Sequence, residues 1–260
     1  MSQESWNSED SIWQLVECCG YDIDLPIWSR LARGSAGPVL DLGCGIGRIG
    51  HHLGQAGFPV IGVDSHPGVV ADFNRARPDA RVAAHTGDVT GSDMGLPAGA
   101  TVGGVPVPDR FERIFAPQQL IQIVGGADSR ARLLSAIVRR LSPGGVVALA
   151  LTSALPEETL RLDLLPDVRE ISGWAYMSRP VLIESEAEAV VITRIRHRVS
   201  PEGELCETRD RIRFSRLTAA ELAAEMKTAG LAPGEIIDIP ATEPHVGSTI
   251  VTGRLEAGGP

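Results

Sequence analysis

The sequence predicts an α/β protein built on a doubly wound, mostly parallel sheet with helices on both of its faces. Three features of the 260-residue chain indicate this fold. Short apolar segments alternate with amphipathic helical segments between residues 39 and 151, as they do in consecutive βαβ units. A glycine-rich turn joins the first of these strands to the helix that follows it. Within residues 174–215, apolar and polar side chains instead alternate with a period of two, which is typical of half-buried antiparallel strands.

The individual elements follow in order along the chain. Residues 9–33 carry apolar side chains at helical spacing, and Pro26 is suited to the first turn of a second helix. The sequence between residues 39 and 151 then predicts strands at 39–42, 59–64, 81–85, 111–116 and 145–151, with helices at 48–55, 69–75 and 130–141. Near the end of the chain, Thr218 and Glu221 form a capping box for a helix that Gly230 stops. Two strands, at 235–239 and 248–255, complete the sheet.

Residues 152–216 interrupt this alternation and predict a separate antiparallel sheet. In its second strand, Arg194, Arg196 and Arg198 share one face, which we interpret as solvent-exposed, and His197 lies on the other. The chain is therefore divided into an N-terminal helical cap (1–37), a core (38–151), an inserted element (152–216) and a C-terminal segment that completes the core (217–260). The insertion is expected to act as a lid or as a contact in a homodimer.

Composition excludes several classes of partner. Hydrophobic residues make up 43% of the chain, enough for a sizeable core, and the formal net charge is −9. The basic residues are scattered, so the broad positive surface that nucleic acids require is not expected. No apolar run approaches the ~20 residues of a membrane span, and the polar N-terminus does not resemble a signal peptide. The four cysteines show no metal-binding spacing, so we expect a cytoplasmic protein without a metal site.

The glycine-rich turn in 39-VLDLGCGIGRIG-50 indicates a nucleoside cofactor. Its glycines permit a tight turn and let backbone N–H groups approach a ligand beside a helix N-terminus. Asp64 ends the next strand, where its carboxylate can accept hydrogen bonds from a ribose diol. The spacing Gly45-x-Gly47-x-x-Gly50 also matches the dinucleotide fingerprint, and this keeps an NAD(P)-dependent oxidoreductase as an alternative. Asp41 argues against it, because a carboxylate would repel a pyrophosphate and suits a cationic sulfonium better.

The same segment resembles motif I of the class I S-adenosylmethionine-dependent methyltransferases, and further signals of that family follow in order. Motif I is occupied by Asp41, Gly43, Gly45 and Gly47. The resemblance implies a Rossmann-like fold with a seven-stranded sheet and S-adenosylmethionine as cofactor. It assigns the other cofactor contacts to Asp64 and Ser65 after the second strand, Asp88 and Val89 after the third, and Ala116 after the fourth. Asp93 is an alternative to Asp88 as the partner of the adenine amino group.

The expected reaction is methyl transfer to an oxygen or nitrogen of a small metabolite. After the fourth strand the chain reads Ala-Pro-Gln-Gln, unlike the Asp-Pro-Pro-Tyr motif of nucleobase-amino methyltransferases, so Gln118 and Gln119 are predicted to contact a different substrate. The N-terminal segment offers Tyr21 and Trp28 as further substrate contacts, although both also suit a core. A protein that binds S-adenosylmethionine without methylating anything is a second alternative, since its cofactor pocket would have the same sequence.

The loop between the last two strands carries the catalytic candidate. Ligands of open α/β sheets lie outside the carboxyl ends of the parallel strands. If the strand at 235–239 runs parallel to the others, the loop that follows, with Glu243 and His245, opens at that edge. His245 is our candidate general base or substrate contact, and the alternative is that it orders the hairpin turn.

Overall fold

The computed structural model describes residues 6–96, 99–152, 154–242 and 245–255. The helices are α1 (Glu9–Glu17), α2 (Leu25–Ala32), α3 (Arg48–Gln55), α4 (Pro67–Ala76), α5 (Leu120–Ile123), α6 (Ala127–Arg140) and α7 (Ala219–Thr228). The strands are β1 (Val39–Leu42), β2 (Val60–Asp64), β3 (Val82–Thr86), β4 (Thr101–Val102), β5 (Val105–Pro106), β6 (Phe111–Ala116), β7 (Leu141–Leu151), β8 (Leu160–Arg161), β9 (Asp167–Ile171), β10 (Trp174–Ser185), β11 (Ala189–Val199), β12 (Leu205–Ser215), β13 (Leu231–Ile239) and β14 (Ser248–Leu255).

The main sheet has seven strands in the order β13-β14-β7-β6-β1-β2-β3. Strands β1, β2, β3, β6 and β7 run parallel. Strand β14 is antiparallel to both of its neighbours, so β13 shares the direction of the parallel set. The predicted mostly parallel, seven-stranded sheet is therefore confirmed. The chain order reverses beside β1, and in open α/β sheets such a switch point is where ligands bind.

Helices cover both faces of this sheet because its strands are apolar on both sides. Leu40 and Leu42 of β1 face one core, which α6 and α7 close with residues such as Leu133 and Leu222. Val39 faces the other core, which α2, α3 and α4 close. Each core consists mainly of side chains with almost no exposed surface, and burial of this kind contributes roughly 1.5–3 kcal/mol for each large apolar side chain.

Local sequence signals fix the ends of several elements. The Thr218 side chain accepts a hydrogen bond from the Glu221 backbone N–H, and the Glu221 side chain accepts one from Thr218, so the predicted capping box of α7 is present. Gly230, which follows this helix, has a φ of +95°, a conformation that glycine adopts at little cost. Pro26 lies in the first turn of α2 as predicted.

The insertion forms its own antiparallel sheet, in the order β12-β11-β10-β8, with β9 also paired to β10. The interpretation of its arginine face as solvent-exposed is wrong for Arg194 and Arg196, whose side chains are only 23% and 17% exposed. Helix α1 packs on that face and supplies Glu17 as their partner. Alternation along a strand separates the two faces, but it does not say which face another element covers. His197, on the opposite face, pairs with Glu207 at 2.9 Å.

Among the described residues, no helix is both long and apolar enough to cross a membrane.

Candidate active site

The turn between β1 and α3 holds three glycines in the left-handed region. Gly43, Gly45 and Gly47 have φ values of +63°, +52° and +92°. Each is also tightly enclosed, because a Cβ atom would lie 2.9 Å from Leu120 at Gly43, 2.4 Å from Gln14 at Gly45 and 2.6 Å from His51 at Gly47. The positive φ values therefore favour glycine at all three positions, and the Leu120, Gln14 and His51 side chains fill the space that the absent Cβ atoms leave. The turn presents backbone rather than side chains toward the carboxyl edge of the sheet.

Asp64, at the end of β2, lies directly beside this turn. One carboxylate oxygen accepts a hydrogen bond from the Gly45 backbone N–H at 3.0 Å, and the other accepts one from the His66 N–H at 3.0 Å. Each oxygen keeps a second lone pair, so the carboxylate can still accept hydrogen bonds from a ribose diol. Ser65 is the next residue and is exposed, with its hydroxyl 3.2 Å from Nδ1 of His66.

Asp41 is fully buried in β1, and its carboxylate oxygens make no close hydrogen bond, although the Gly50 backbone N–H favours the ionised form. Burial raises the pKa of Asp41 to about 7, although the positive charge of Arg48 acts in the opposite direction. A buried carboxylate without a close hydrogen bond beneath a glycine turn is costly unless something cationic satisfies it. The ammonium and sulfonium groups of S-adenosylmethionine are cations of this kind, so the residues present fit that cofactor.

The loop after β3 places Asp88 next to Asp64. The backbone N–H of Gly87 donates to the Asp64 carbonyl oxygen at 2.9 Å, which carries Asp88 to the edge of the same site. The exposed Asp88 carboxylate accepts hydrogen bonds from the backbone N–H and the hydroxyl of Thr90, both at 2.8 Å, and these bonds lower its pKa. Asp93 is likewise exposed and caps a turn through the Gly95 N–H at 3.0 Å. Both candidates are thus surface turn residues of similar local geometry.

Two of the predicted cofactor contacts lie in the core. The side chains of Val89 and Ala116 are 9% and 0% exposed and belong to the cluster that contains Leu40. These two residues therefore offer a cofactor little or no accessible side-chain surface. This corrects any assignment that relies on the Val89 side chain.

The loop after β6 is held in an unusual conformation. Gln118 and Gln119 have φ values of +51° and +60°, in the left-handed region that non-glycine residues seldom occupy. Their side chains are half-buried, and the next residue, Leu120, packs against the turn at Gly43. Two consecutive strained residues cost on the order of 1–3 kcal/mol each, and such strain is concentrated at functional sites. The predicted contact of Gln118 and Gln119 with the substrate stays a prediction.

Sequence reasoning did not find Gln122, which anchors this loop. Its side chain has no exposed surface, and its Oε1 accepts the Thr152 N–H at 2.8 Å. Its Nε2 donates to the Thr152 carbonyl oxygen at 2.9 Å and to that of Ser215 at 3.3 Å. Thr152 follows β7 and Ser215 ends β12, so one amide fastens both ends of the insertion to the site.

The final hairpin opens at the carboxyl edge, as the topology predicted. Thr249 pairs with Leu151 at the end of β7, and the Thr152 hydroxyl donates to the Gly247 carbonyl oxygen at 3.0 Å. His245 is half-buried there and its ring lies 5.2 Å from that of Tyr21. Glu243, which the sequence analysis named together with His245, lies outside the described residues.

Tyr21 connects this hairpin to the glycine turn. Its hydroxyl is 2.9 Å from the Ser248 hydroxyl, and its carbonyl oxygen accepts a hydrogen bond from Arg48 at 2.8 Å. Arg48 is the first residue of α3, immediately after Gly47, and its guanidinium lies 5.3 Å from the centre of the Tyr21 ring. The structure therefore brings Tyr21 and His245 together beside the turn.

The expectation that Trp28 contacts the substrate is wrong. Trp28 has no exposed surface and packs against Phe115 with ring centroids 5.2 Å apart, so it is a core residue rather than a substrate contact. Its indole N–H donates to Asp24 at 2.8 Å. His51 of α3 is buried under the turn, where burial lowers its pKa to about 4. A buried histidine in the first turns of a helix cannot be distinguished from a surface one by spacing alone.

Comparison with known proteins supports the same fold. Residues 39–145 match a family described as a methyltransferase domain. No curated protein matches the sequence. Among solved structures, DesVI of Streptomyces venezuelae has a TM-score of 0.67 at 16% identity, covering 92% of this chain and 94% of its own. CalS10, an amino pentose methyltransferase from Micromonospora echinaspora whose structure contains bound S-adenosylmethionine, has a TM-score of 0.66 at 19% identity, covering 95% and 98%. The sugar N-methyltransferase KedS8 of Streptoalloteichus has a TM-score of 0.67 at 18% identity, covering 96% and 94%.

Proposed function

We propose that the chain, which has a Rossmann-like core and a segment matching a methyltransferase domain, is an S-adenosylmethionine-dependent methyltransferase that methylates an amino or hydroxyl group of a small molecule, and that an amino sugar is the acceptor. The observation that carries this proposal is the meeting of Tyr21 and His245 beside the glycine turn, at 5.2 Å between their rings. A nitrogen base and a phenol at this edge suit a polar acceptor of small size. The amino pentose and sugar N-methyltransferases among the similar structures support an amine as the methylated group.

The cofactor would be held at three of its parts: the ribose, the adenine and the methionine end. Asp64 and Ser65 would bind the ribose, Asp88 the adenine amino group, and the glycine turn with Asp41 the cationic methionine end. When bound, S-adenosylmethionine supplies an electrophilic methyl group. The remaining task of the protein is to position the acceptor and to remove its proton.

His245 is the residue we assign to that proton. A protonated amine has no lone pair to donate, so it must lose a proton before its nitrogen can act as a nucleophile. A neutral imidazole offers one ring nitrogen as acceptor for it. Gln118, Gln119 and Tyr21 would hold the rest of the acceptor by hydrogen bonds. If His245 only orders the hairpin, the acceptor would have to lose its proton to water.

The insertion is proposed to cover the acceptor as a lid. Helix α1 lies between this sheet and the glycine turn, since its buried residues Ile12, Trp13 and Val16 share one cluster with Ile46 of the turn and Tyr176 of β10. A lid placed here would exclude water from the carboxyl edge of the main sheet, and acceptor specificity would depend on its lining.

Binding and product detection test this function. Calorimetric titration with S-adenosylmethionine, S-adenosylhomocysteine and NAD+ should show binding of the first two only. Incubation with S-adenosylmethionine and paired sugars, with an amino or a hydroxyl group at the same position, should then give a methylated amino sugar by mass spectrometry. Methylation of the hydroxyl partner alone would overturn the choice of amine. Binding without a methylated product across such a panel would favour a binding protein over an enzyme.

A further inference from the structure

Gln14 of α1 lies on the glycine turn. Its Oε1 accepts a hydrogen bond from the Ile46 backbone N–H at 3.1 Å. The same oxygen lies 2.4 Å from where a Cβ of Gly45 would be, so it occupies the space that the glycine leaves free. Any ligand that approaches the backbone of this turn therefore meets the Gln14 amide.

The position of this amide is fixed from both ends of α1. At the N-terminal end, the Asp72 carboxylate accepts the backbone N–H groups of Asn7 and Ser8 at 3.0 and 2.8 Å. At the C-terminal end, the Glu17 carboxylate is held by Arg196 at 2.7 and 2.8 Å. Helix α1 is thus clamped between α4 and the inserted sheet. Gln14 is presented to the turn by a rigid element, as a binding residue requires.

The amide of Gln14 has one function that the Asp41 and Asp64 side chains lack, and the Arg48 guanidinium beside them is already paired with Asp24. Asp41 and Asp64 are carboxylates and can only accept hydrogen bonds when ionised, whereas a glutamine also donates through Nε2. The methionine end of S-adenosylmethionine carries a carboxylate as well as its ammonium group. Asp41 suits the ammonium but would repel the carboxylate, which needs a donor.

We propose that Gln14 binds the carboxylate of the cofactor's methionine end. Nε2 donates to that carboxylate, and the Ile46 N–H that Oε1 now occupies becomes a second donor at the N-terminus of α3, where negative charge is favoured. This inference rests on S-adenosylmethionine being the cofactor.

The test compares two ligands and three variants. Gln14→Glu keeps an acceptor for the Ile46 N–H but removes the donor and adds a negative charge, and Gln14→Ala removes both functions. Gln55→Glu, on the exposed end of α3, makes the same charge change away from the turn. The ligands are S-adenosylhomocysteine and 5′-methylthioadenosine, which lacks the amino-acid end. Thermal melting of the free proteins shows that each variant folds, and calorimetry gives the affinities.

Gln14→Glu should melt close to the wild type yet bind S-adenosylhomocysteine about 10- to 100-fold more weakly, as the loss of a charge-assisted hydrogen bond predicts. Its affinity for 5′-methylthioadenosine should be unchanged, and Gln55→Glu should bind both ligands normally. Normal binding of S-adenosylhomocysteine by Gln14→Glu, or equal weakening of both ligands, would overturn the proposal. If the wild-type protein binds neither ligand, the cofactor assignment itself fails, and this outcome is distinct from the other two.

Discussion

The Glu17 carboxylate accepts two parallel hydrogen bonds from the Arg196 guanidinium, at 2.7 and 2.8 Å, and so joins α1 to the inserted sheet. The Ser178 hydroxyl donates a further bond at 2.7 Å, and the Glu17 side chain is only 9% exposed. Asp210 lies 3.2 Å from the far side of Arg196. The carboxylates of Glu17 and Asp210 are thereby paired with the guanidinium groups of Arg194 and Arg196 on the inserted sheet.

Glu17→Gln should lower the free energy of unfolding by about 1.5–3 kcal/mol, because it weakens the charge-assisted hydrogen bonds from Arg196 while Asp210 remains as a partner of that arginine. Burial by itself raises the pKa of Glu17, but the hydrogen bond from Arg196 and the charge of Arg194 outweigh it, so the pKa lies below its ordinary value of 4.5. The stabilisation is therefore present above pH 4.5 and is lost as the pH falls below it. Denaturant unfolding at several pH values measures this loss, which the variant should not show.

The exposed pair of Arg30 and Glu235 provides the control, since these side chains are 49% and 56% exposed. Glu235→Gln should change the free energy of unfolding by less than about 1 kcal/mol. Similar effects of the two substitutions would contradict the special role of Glu17.

Cofactor affinity should depend on the ionisation of Asp41. Because burial raises the pKa of Asp41 to about 7 in the free protein, the carboxyl is largely neutral below that pH. A cationic cofactor favours the ionised form, so affinity for S-adenosylmethionine should rise as the pH increases through 7 and then level off. Calorimetry at several pH values, with Asp41→Asn beside the wild type, isolates this contribution. Parallel pH profiles for the two proteins would contradict it.

The same residue makes an opposite prediction for stability. A buried acid with a raised pKa stabilises the fold while it is protonated, and this advantage is lost as the pH rises from 3.8 towards 7. Asp41→Asn, which cannot ionise, should therefore become more stable relative to the wild type over that interval. The difference at pH 8 should be on the order of several kcal/mol. Thermal or denaturant melts of both proteins measure it, and a constant difference would show that Asp41 does not titrate.

Asp88 and Asp93 form a matched pair for the adenine contact. Each is exposed and caps a turn two residues ahead, so alanine removes a similar structural bond from both. Asp88→Ala should weaken S-adenosylhomocysteine binding by about 1–3 kcal/mol, since it removes a charged acceptor of the adenine amino group. Asp93→Ala should leave the affinity nearly unchanged. A larger loss for Asp93→Ala in calorimetry would reverse the assignment.

His245→Ala should reduce turnover by about 10²–10⁴-fold and leave cofactor affinity intact if the imidazole accepts the acceptor's proton. His197→Ala, which removes a histidine from an exposed pair with Glu207 on the inserted sheet, is the matched control. Turnover is measured as the steady-state rate with an acceptor that the wild-type protein methylates. Cofactor affinity is measured by calorimetry with S-adenosylhomocysteine. A lower melting temperature with near-normal turnover would instead assign His245 to the hairpin turn.

Much of the central sheet was predictable because its strands are buried on both faces and interrupted by glycine or proline. The strands at 39–42, 111–116 and 248–255 begin and end where the sequence predicted. The short strands β8 and β9 were not predicted, since most of their residues are exposed and carry no apolar pattern. Edge strands of this kind are defined by their pairing with β10 rather than by their own composition.

The polar residues that organise the site were the least predictable part. Glu17 and Arg196 are 179 positions apart, and Gln122 and Thr152 are 30 apart, so neither contact leaves a local signature. The glycine turn and Asp64 were found because their chemistry lies within one βαβ unit. Gln14 lies 32 residues before its partner, Ile46. The sequence of its helix shows an apolar stripe and gives no sign of this contact.

The Gln122 amide marks the place where the inserted segment could be exchanged for another one. Because the insertion leaves the core at Thr152 and returns at Ser215, both held by one side chain, its two ends lie side by side. A segment with adjacent ends can be replaced by a longer, shorter or unrelated one without moving the strands on either side. We therefore expect that a foreign segment can be grafted between Thr152 and Ser215 while the main sheet keeps its fold.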